Sequence, residues 1–307
     1  LFFHRTLAGR AIQGAQFLQG GDGHGAGLGC QRQLCGKGLA PCDSIPAMSS
    51  HYESLFPLDL YPDAFGVPVP TVEVGRDVWP RKPAVFIRQV RSIEPAMPVA
   101  EPVAEVSAAE AASEALSGEP AVPAPAKAVQ RELVLGQFGF VPRWVKSASD
   151  AKLRSTKLVT TRSETVSTSN VSREAWLAGQ RCIVPIQAFF EDDLRTGKAV
   201  PTRIARVDGK AMGVAGLWEQ WEKDGDTITS FTLLTINANS HALMRRYGHP
   251  GTEKRMLAVL SEGTYDAWLS ARPEKAREFM RAYPANWLLA NPVETKKPKV
   301  PAAVRGL

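Results

Sequence analysis

Polar residues with chemical uses lie close together between residues 158 and 193, separated by apolar segments. Leu158-Val159 has the character of a buried strand end, and residues 160–165 are all polar, as in a solvated loop or a binding site. An apolar, β-prone run over residues 181–190 then leads to Glu191. A carboxylate at the end of a buried strand would have a raised pKa, which suits proton transfer. An acidic turn after a strand is the competing interpretation.

A short helix is predicted between these two polar positions. Ser172 is a credible N-cap, Glu174 lies in the favourable first turn and Gly179 can end the helix. Trp176 and Leu177 supply its apolar face. The pattern predicts a strand, a polar segment, a helix and a second strand, with polar side chains at the strand ends.

Six short pieces of the chain carry a family resemblance. They are Phe138–Trp144, Thr161–Thr165, Arg181–Pro185 leading to Phe189-Phe190-Glu191, Ala215–Glu219, Leu234–Asn239 and Glu253–Met256. In this order they resemble the SOS response-associated peptidase (SRAP) family, the abasic-site processing proteins. With the segment at Met48 included, the resemblance covers about residues 48 to 290.

The resemblance implies chemistry at the N-terminus. In this family, a cysteine at the mature N-terminus condenses with the ring-opened aldehyde of an abasic site in single-stranded DNA, and its thiol then closes a thiazolidine. An α-amine of pKa about 8 is partly neutral at pH 7 and is a suitable nucleophile. Ser49 stands where the family cysteine follows the initiator Met48. A hydroxyl closes only the oxygen analogue, so we expect an imine but a poor permanent crosslink.

The resemblance also assigns roles farther along the chain. Glu191 matches the family's catalytic carboxylate, and Thr160 stands in place of its asparagine. A threonine hydroxyl can hold the terminal residue but lacks the two-sided geometry of an amide. Arg162 has the fork that suits a DNA phosphate, and a salt bridge with Glu164 is its competing interpretation.

The family's active-site histidine has three candidate positions. Counting back from Arg255 at close spacing gives Glu253, whereas a longer loop gives Gly248 or His249. We assign the role to His249. The catalytic residues expected from the resemblance are therefore Ser49, Thr160, Glu191 and His249.

DNA contacts are expected at His51, Pro80, Trp144 and Arg162. Trp144 matches an aromatic residue that can stack on a base, for which the alternative is core packing. Pro80 follows Trp79 in a segment similar to a DNA-contacting part of the family, and packing at a strand edge is the alternative.

Composition narrows the class of protein. The 307 residues are 44% hydrophobic, which is enough for a full core, and the net charge of +6 permits a polyanionic partner. No run of 18 apolar residues occurs, so no membrane-spanning segment is expected. The four cysteines are Cys30, Cys35, Cys42 and Cys182. Their number and spacing match neither a disulfide framework nor a zinc-binding pattern. We expect no metal, no cofactor and a reducing cytoplasm.

Segments of biased composition set the domain boundaries. Residues 1–47 are Gly-rich and without periodicity, so we expect a disordered or spurious extension ahead of a start at Met48. Residues 92–130, rich in Ala, Pro and Glu, are expected to form a flexible insert within one SRAP-like domain over residues 48–290. Residues 291–307 are expected to form a flexible tail.

The second half of the chain has the pattern of antiparallel strands. Asp208-Gly209 and Asp224-Gly225 each predict a hairpin. A helix is expected from Ser240 to Tyr247, a strand over residues 256–260 and helices over 265–269 and 273–282. This pattern predicts an α+β protein. The resemblance implies a single domain with a curved, barrel-like antiparallel β-sheet flanked by helices.

The sequence therefore predicts an abasic-site processing protein. We expect a cytoplasmic, nucleoid-associated monomer that binds single-stranded DNA, crosslinks to abasic sites and can cleave its own leader, with crosslinking impaired at Ser49. A non-enzymatic single-stranded DNA-binding homologue is the alternative, and a self-cleaving peptidase without DNA chemistry is a third possibility.

Overall fold

The computed structural model describes residues 50–90 and 129–293. Ser49, the predicted extension 1–47, nearly all of the predicted insert 92–130 and the residues from 294 onward lie outside this part of the chain. The predictions that fall on those residues stay predictions.

Short strands and shorter helices make up the described chain. The strands are β1 (Tyr52–Glu53), β2 (Asp77–Val78), β3 (Pro83–Gln89), β4 (Arg131–Phe138), β5 (Thr160–Arg162), β6 (Arg181–Ile186), β7 (Ala188–Asp193), β8 (Val200–Arg206), β9 (Met212–Lys223), β10 (Asp226–Asn237), β11 (Arg255–Leu257), β12 (Val259–Leu260) and β13 (Leu288–Pro292). The α-helices are α1 (Leu60–Phe65), α2 (Ala148–Ser155), α3 (Arg173–Leu177), α4 (Tyr265–Ser270) and α5 (Pro273–Ala276).

Five of the strands close into a barrel. They are hydrogen-bonded in the order β10-β4-β3-β6-β9, and the long β9–β10 hairpin joins the two ends of the row. The hairpin turns at Asp224-Gly225, where both residues have positive φ, as predicted. The β4–β10 pairing is parallel, whereas the other neighbours in the ring are antiparallel. The predicted α+β domain with a curved, barrel-like sheet is confirmed.

A second sheet carries the beginning of the described chain. Its strands are all antiparallel and lie in the order β13-β8-β7-β1-β2. β6 in the barrel continues almost directly into β7 in this sheet. The residues just before Tyr52 are therefore held beside the strand that contains Glu191.

Aromatic side chains from three barrel strands pack together in the core. The Phe231 ring lies 5.4 Å from that of Phe86 and 5.6 Å from that of Phe138, and all three side chains are buried. Burial of each contributes about 1.5–3 kcal/mol relative to exposure. Next to this cluster Gly139 has φ 116°, and a Cβ there would lie 2.1 Å from the Ser155 carbonyl oxygen. Only glycine fits this close approach.

Three predicted elements are wrong because consecutive segments of the chain pair with different strands. The run 181–190 is not one strand but β6 and β7, separated at Gln187, whose backbone N–H donates to the Glu53 carbonyl at 2.8 Å. The run 256–260 divides in the same way into β11 and β12 around Ala258, the first paired with β10 and the second with β9. Asp208-Gly209 forms no hairpin, since β8 and β9 belong to different sheets.

Predicted helix ends also differ from the structure. Between Ser240 and Tyr247 the only helical segment is the 3-10 turn Met244–Arg246. His241 Nδ1 there accepts from the backbone N–H groups of residues 243 and 244, so the ring does the capping expected of Ser240. The helix predicted over residues 273–282 shortens to α5 and the 3-10 turn Arg277–Phe279. Ser172 precedes α3 as predicted, but its hydroxyl donates to the Val166 carbonyl instead of capping the helix.

Candidate active site and nucleic-acid surface

Three rings stack across neighbouring strands at the edge of the second sheet. His51 lies between Trp79, with ring centroids 3.9 Å apart, and Phe190, with centroids 4.0 Å apart, and both pairs are nearly parallel. The register explains the stack, because Tyr52 pairs with both Val78 and Phe189, so the preceding residue faces Trp79 and Phe190. The His51 Nε2 atom lies 2.8 Å from the Asp77 carboxylate. The ring is therefore fixed on both faces and at one nitrogen.

The next pair of residues along β1 and β7 carries the candidate chemistry. Continued by one residue along β7, the register places Ser50 opposite Glu191, whereas Pro80 lies in the turn after β2. Side chains alternate along a strand, so this row points toward the same side as buried Tyr52 and away from the stacked rings. Glu191, which is predicted to act in the site, thus lies beside the described beginning of the chain.

Glu191 is enclosed by its neighbours. Its side chain is buried, and across β7–β8 it lies opposite buried Thr202. The Gly248 backbone N–H donates to the Asp192 carbonyl at 3.3 Å, which brings the segment after Met244–Arg246 against the end of β7. Burial raises the pKa of Tyr247, and the carboxylates of Asp193 and Glu191 add to this effect. The Tyr247 phenol therefore keeps its proton near Glu191.

Thr160 and Arg162 lie on β5, at the margin of the barrel. This short strand pairs in parallel with β10, with Thr160 opposite Leu233 and Arg162 opposite Thr235. Thr160 is partly buried, and the Thr161 hydroxyl lies 3.1 Å from that of Thr232. β5 belongs to the barrel sheet, whereas Glu191 lies on β7 in the second sheet.

The guanidinium of Arg162 belongs to a network of charged side chains. It donates to Glu253 at 2.7 Å and not to Glu164, the partner considered from the sequence. Glu164 instead pairs with Arg255, which also donates to Glu253 at 2.8 Å. Asn237 Nδ2 donates to the same Glu253 carboxylate at 2.8 Å. Glu253 thus accepts from three side chains.

The network holds both glutamates in the charged form. Hydrogen bonds from Asn237 and Arg255 lower the pKa of Glu253. Partial burial alone would raise the pKa of Glu164, but the Arg255 guanidinium outweighs this effect and the pKa is lowered. A carboxylate held this way is a poor proton donor at neutral pH, so Glu253 does not offer the acid chemistry of a histidine.

His249 lies on the loop between Tyr247 and Glu253. Its side chain is exposed, and its carbonyl accepts from the Lys254 ammonium at 2.5 Å. Among the described residues no hydrogen bond to its ring occurs. The loop touches β7 at Gly248 and reaches Arg162 through Glu253, so it connects the Glu191 row with the charged network. The assignment of the family's active-site histidine to His249 stays a prediction.

Trp144 is half-exposed and does not pack in the core. Its indole N–H donates to the Asn170 carbonyl at 2.9 Å, and the Arg154 guanidinium lies 4.7 Å from the ring centroid. A cleft of about 360 Å³ beside it is also lined by Arg173 and Glu174. The ring is held in place with a cation over it, as in a stacking platform.

Several residues of the site were not singled out from the sequence. Asn237 and Arg255 lay within the family-like pieces, but only the pairing of β10 with β11 brings them to Glu253. Asp77 and Tyr247 carried no signal in the sequence, because their roles depend on strand pairing and on a loop path.

In the described ranges no group of three or more His, Cys, Asp or Glu side chains is arranged to hold a metal ion. No helix in this part of the chain is long and apolar enough to cross a membrane.

Comparisons with known proteins agree with this geometry. The family model described as SOS response associated peptidase (SRAP) matches residues 73–300. The abasic site processing protein YoqW of Bacillus subtilis is 27% identical over 155 residues, which are 49% of this chain and 64% of that protein. The abasic site processing protein HMCES of Gallus gallus is 25% identical over 192 residues, 55% of each chain. The chain therefore matches less than two thirds of the length of these relatives.

A solved structure extends the comparison to the fold. An X-ray structure of a Bordetella bronchiseptica protein is 34% identical, with a TM-score of 0.63, and the match covers 80% of this chain and 100% of that chain. The barrel, the order of the six pieces and the match over residues 73–300 lead to one conclusion. The chain belongs to the SRAP family.

Proposed function

We propose that this protein processes abasic sites in single-stranded DNA through a mature N-terminus at Ser49. The observation that carries the proposal is the register that brings Ser50 opposite buried Glu191. A terminal amine one residue earlier would start within reach of a carboxylate that can exchange protons. The names of the relatives, abasic site processing proteins, support the same substrate.

The reaction begins with attack of the neutral α-amine on the aldehyde carbon of the opened sugar. A C–N bond forms, and the carbonyl oxygen takes a proton to give a carbinolamine. Loss of this hydroxyl as water, with a proton supplied through Glu191, leaves the imine. A thiol in place of the Ser49 hydroxyl would add to the imine carbon and close a stable ring. With serine, the imine remains open to hydrolysis, so the crosslink is short-lived.

Four residues are proposed to hold the DNA strand. Arg162 contacts a phosphate and Trp144 stacks on a base, while His51 and Pro80 border the reacting terminus. Thr160 positions the terminal residue less firmly than the family asparagine. Backbone contacts of this kind bind any sequence and weaken as salt rises.

Self-removal of a leader is part of the proposal. The Ser49 hydroxyl can attack the preceding carbonyl in an N-to-O acyl shift, which breaks the peptide bond, frees the α-amine and leaves the leader as an ester on Ser49. Water then hydrolyses this ester and releases the leader. The shift is slower than the cysteine version because a hydroxyl is harder to activate than a thiol. We propose a monomer that acts in the cytoplasm and associates with the nucleoid when DNA is damaged.

A non-enzymatic binding module is the second candidate. Ser49 and Thr160 both depart from the family pattern at positions with chemical roles, and Glu253 is held as a carboxylate near Arg162. These departures favour a protein that keeps the DNA-binding surface but does not react with abasic sites.

Borohydride trapping distinguishes the two. The full chain is incubated with single-stranded DNA that contains one abasic site, with and without borohydride. We expect an adduct that is abundant only with reduction and that Glu191→Gln slows strongly. If the mature N-terminus is Ser49 and no reducible adduct forms, the enzymatic function is excluded and the non-enzymatic binding module is supported.

A further inference from the structure

The loop of residues 248–253 is folded back on itself by the side chain of Lys254. The Lys254 ammonium donates to the Gly248 carbonyl at 3.1 Å and to the His249 carbonyl at 2.5 Å. Gly248 and Gly251 both have positive φ, so this backbone would otherwise be free to adopt many conformations. The two contacts, which we term the Lys254 clamp, join the end of the loop to its beginning.

The backbone of Lys254 is itself fixed to the end of the barrel. Its N–H donates to the Asn239 side-chain oxygen at 2.8 Å, and its carbonyl accepts from the Ala238 N–H at 2.7 Å. The Asn239 N–H in turn donates to the side-chain oxygen of Asn237, the last residue of β10, at 3.0 Å. The clamp therefore holds the loop from a rigid base.

The clamped loop rests against the strand that carries Glu191. The Gly248 N–H donates to the Asp192 carbonyl at 3.3 Å, which brings Tyr247 beside β7 with only 4% of its surface exposed. Glu191 and Asp193 point to the same side of β7, since side chains alternate along a strand. Burial raises the pKa of Tyr247, and the carboxylates of Asp193 and Glu191 add to this effect. A protonated phenol is thus held near the proposed proton-transfer group.

We infer that Lys254 is a positioning residue for proton transfer at Glu191, because its clamp keeps the Tyr247 phenol beside that carboxylate. This inference rests on the proposed function, in which a proton supplied through Glu191 releases the carbinolamine hydroxyl as water. The phenol donates a hydrogen bond to that departing oxygen and keeps its own proton. A misplacement of about 1 Å can slow a reaction about 100-fold, so the clamp should act on the rate and not on DNA affinity.

The first test measures the rate of adduct formation with borohydride at saturating abasic single-stranded DNA. Lys254→Met removes the ammonium and keeps an aliphatic stem, whereas Lys254→Arg keeps a cation with N–H donors. We expect Lys254→Met to lower the saturated rate roughly 10- to 100-fold and Lys254→Arg to retain most of it. Lys223→Met, which removes an exposed cation at the end of β9, is the control and should react normally. A normal saturated rate in Lys254→Met would overturn the inference.

A second measurement excludes a simple phosphate contact and a purely structural role. If Lys254 only bound a phosphate, Lys254→Met would weaken binding to undamaged single-stranded DNA and lower the salt slope by about 0.7, with the saturated rate unchanged. If Lys254 only stabilised the fold, the thermal midpoint would fall and the saturated rate of the folded protein would be normal. Either pattern would contradict the inference, which predicts a slow reaction with binding and midpoint nearly unchanged.

A double-mutant cycle identifies the side chain that the clamp positions. Tyr247→Phe removes only the phenol hydroxyl and should slow adduct formation without changing DNA binding. Lys254→Met/Tyr247→Phe should be no slower than the slower single variant, because no phenol remains to be positioned. Losses that multiply would show that the two residues act separately and would reject the inference. If Lys254→Met does not fold, a normal rate in Tyr247→Phe is enough to reject it.

The same experiments distinguish failure of this inference from failure of the proposed function. If Glu191→Gln slows adduct formation while Lys254→Met and Tyr247→Phe react normally, the clamp positions nothing and the proposed function stands. If the unmodified protein forms no reducible adduct, both fail.

Discussion

Arg162 Nη1 donates to Glu253 Oε2 at 2.7 Å, so the arginine proposed to bind phosphate already holds a carboxylate. The Arg162 side chain is 60% exposed, and an exposed ion pair of this kind contributes only about 0–1 kcal/mol to stability. A phosphate can therefore take the place of Glu253 at little cost. Glu253 also places negative charge beside the phosphate that Arg162 is proposed to bind.

The two partners should have opposite effects on DNA binding. Arg162→Ala should weaken binding to single-stranded DNA for all sequences and lower the salt slope by about 0.7, because one phosphate contact is lost. Glu253→Gln should strengthen binding, since a competing carboxylate is removed. Fluorescence anisotropy over a range of salt concentrations measures both. Lys223→Ala, which removes a cation at the far end of β9, is the control and should change neither quantity; weaker binding in Glu253→Gln would contradict the competition.

Acid should weaken the fold through the same network. The pKa values of Glu253 and Glu164 are held below the usual 4.5, so their unfolded forms take up protons first. Their contribution is fully present above the unfolded pKa and is lost as pH falls through the lower folded value. The thermal midpoint should therefore change little between about pH 7 and pH 5. It should decrease once the pH is below the usual pKa of a glutamate side chain.

The double variant Glu164→Gln/Glu253→Gln provides the comparison for this acid effect. It should have a lower midpoint at neutral pH but a shallower fall in acid, because neither side chain titrates. Glu73→Gln, at an exposed position, should follow the unmodified protein. If the thermal midpoints of the double variant and the unmodified protein fall in parallel as the pH is lowered, the network is not the source of the acid destabilisation.

Substitutions at Gly139 and Gly225 distinguish the stability cost of a steric conflict from that of backbone strain. Both have positive φ, but a Cβ at Gly139 would lie 2.1 Å from the Ser155 carbonyl oxygen, whereas a Cβ at Gly225 meets nothing within 4 Å. Gly225→Ala should cost about 1–2 kcal/mol for the left-handed conformation. Gly139→Ala should cost a further 1–3 kcal/mol or so, since the backbone must shift. Urea denaturation measures both, and equal losses would contradict the close packing at Gly139.

The side chain at position 49 should decide how long the adduct lasts. With Ser49, the adduct on an abasic strand should be lost on heating unless it is first reduced. Ser49→Cys should give an adduct that survives heating without reduction, because the thiol closes a ring on the imine. Ser49→Ala controls for the hydroxyl and should form the reducible adduct only. Equal heat stability of the Ser49 and Ser49→Cys adducts would contradict the idea that serine in place of the family cysteine makes the adduct short-lived.

Local sequence patterns were sufficient for the α+β class, whereas the barrel-like sheet was expected only from the family resemblance. Alternating apolar residues and the turn at Asp224-Gly225 predict the long β9–β10 hairpin, which closes the barrel. The hairpin expected at Asp208-Gly209 failed because its flanking strands belong to different sheets. A turn signal reports that the chain reverses, but the partner of each strand depends on contacts distant in sequence.

The site was predictable one residue at a time but not as an arrangement. Glu191 was expected just beyond a strand that ends at Phe190, but β7 continues to Asp193, so Glu191 lies within the strand, with its side chain buried as expected. The Arg162–Glu253 contact joins residues 91 positions apart, and its competitor Glu164 was favoured only by closeness in sequence. The stack of His51 between Trp79 and Phe190 follows from the pairing of three strands, which alternation within each strand does not specify.

Locating the crosslink by peptide mass spectrometry tests the central claim most directly. The full chain is reacted with abasic single-stranded DNA, reduced with borohydride and digested, and the mass shift is assigned to one residue. We predict a single modified peptide that begins at Ser49 and carries the sugar remnant on its α-amine. A reduced adduct on a lysine side chain, or an unmodified peptide that begins at Ser49, would contradict reaction through the N-terminus.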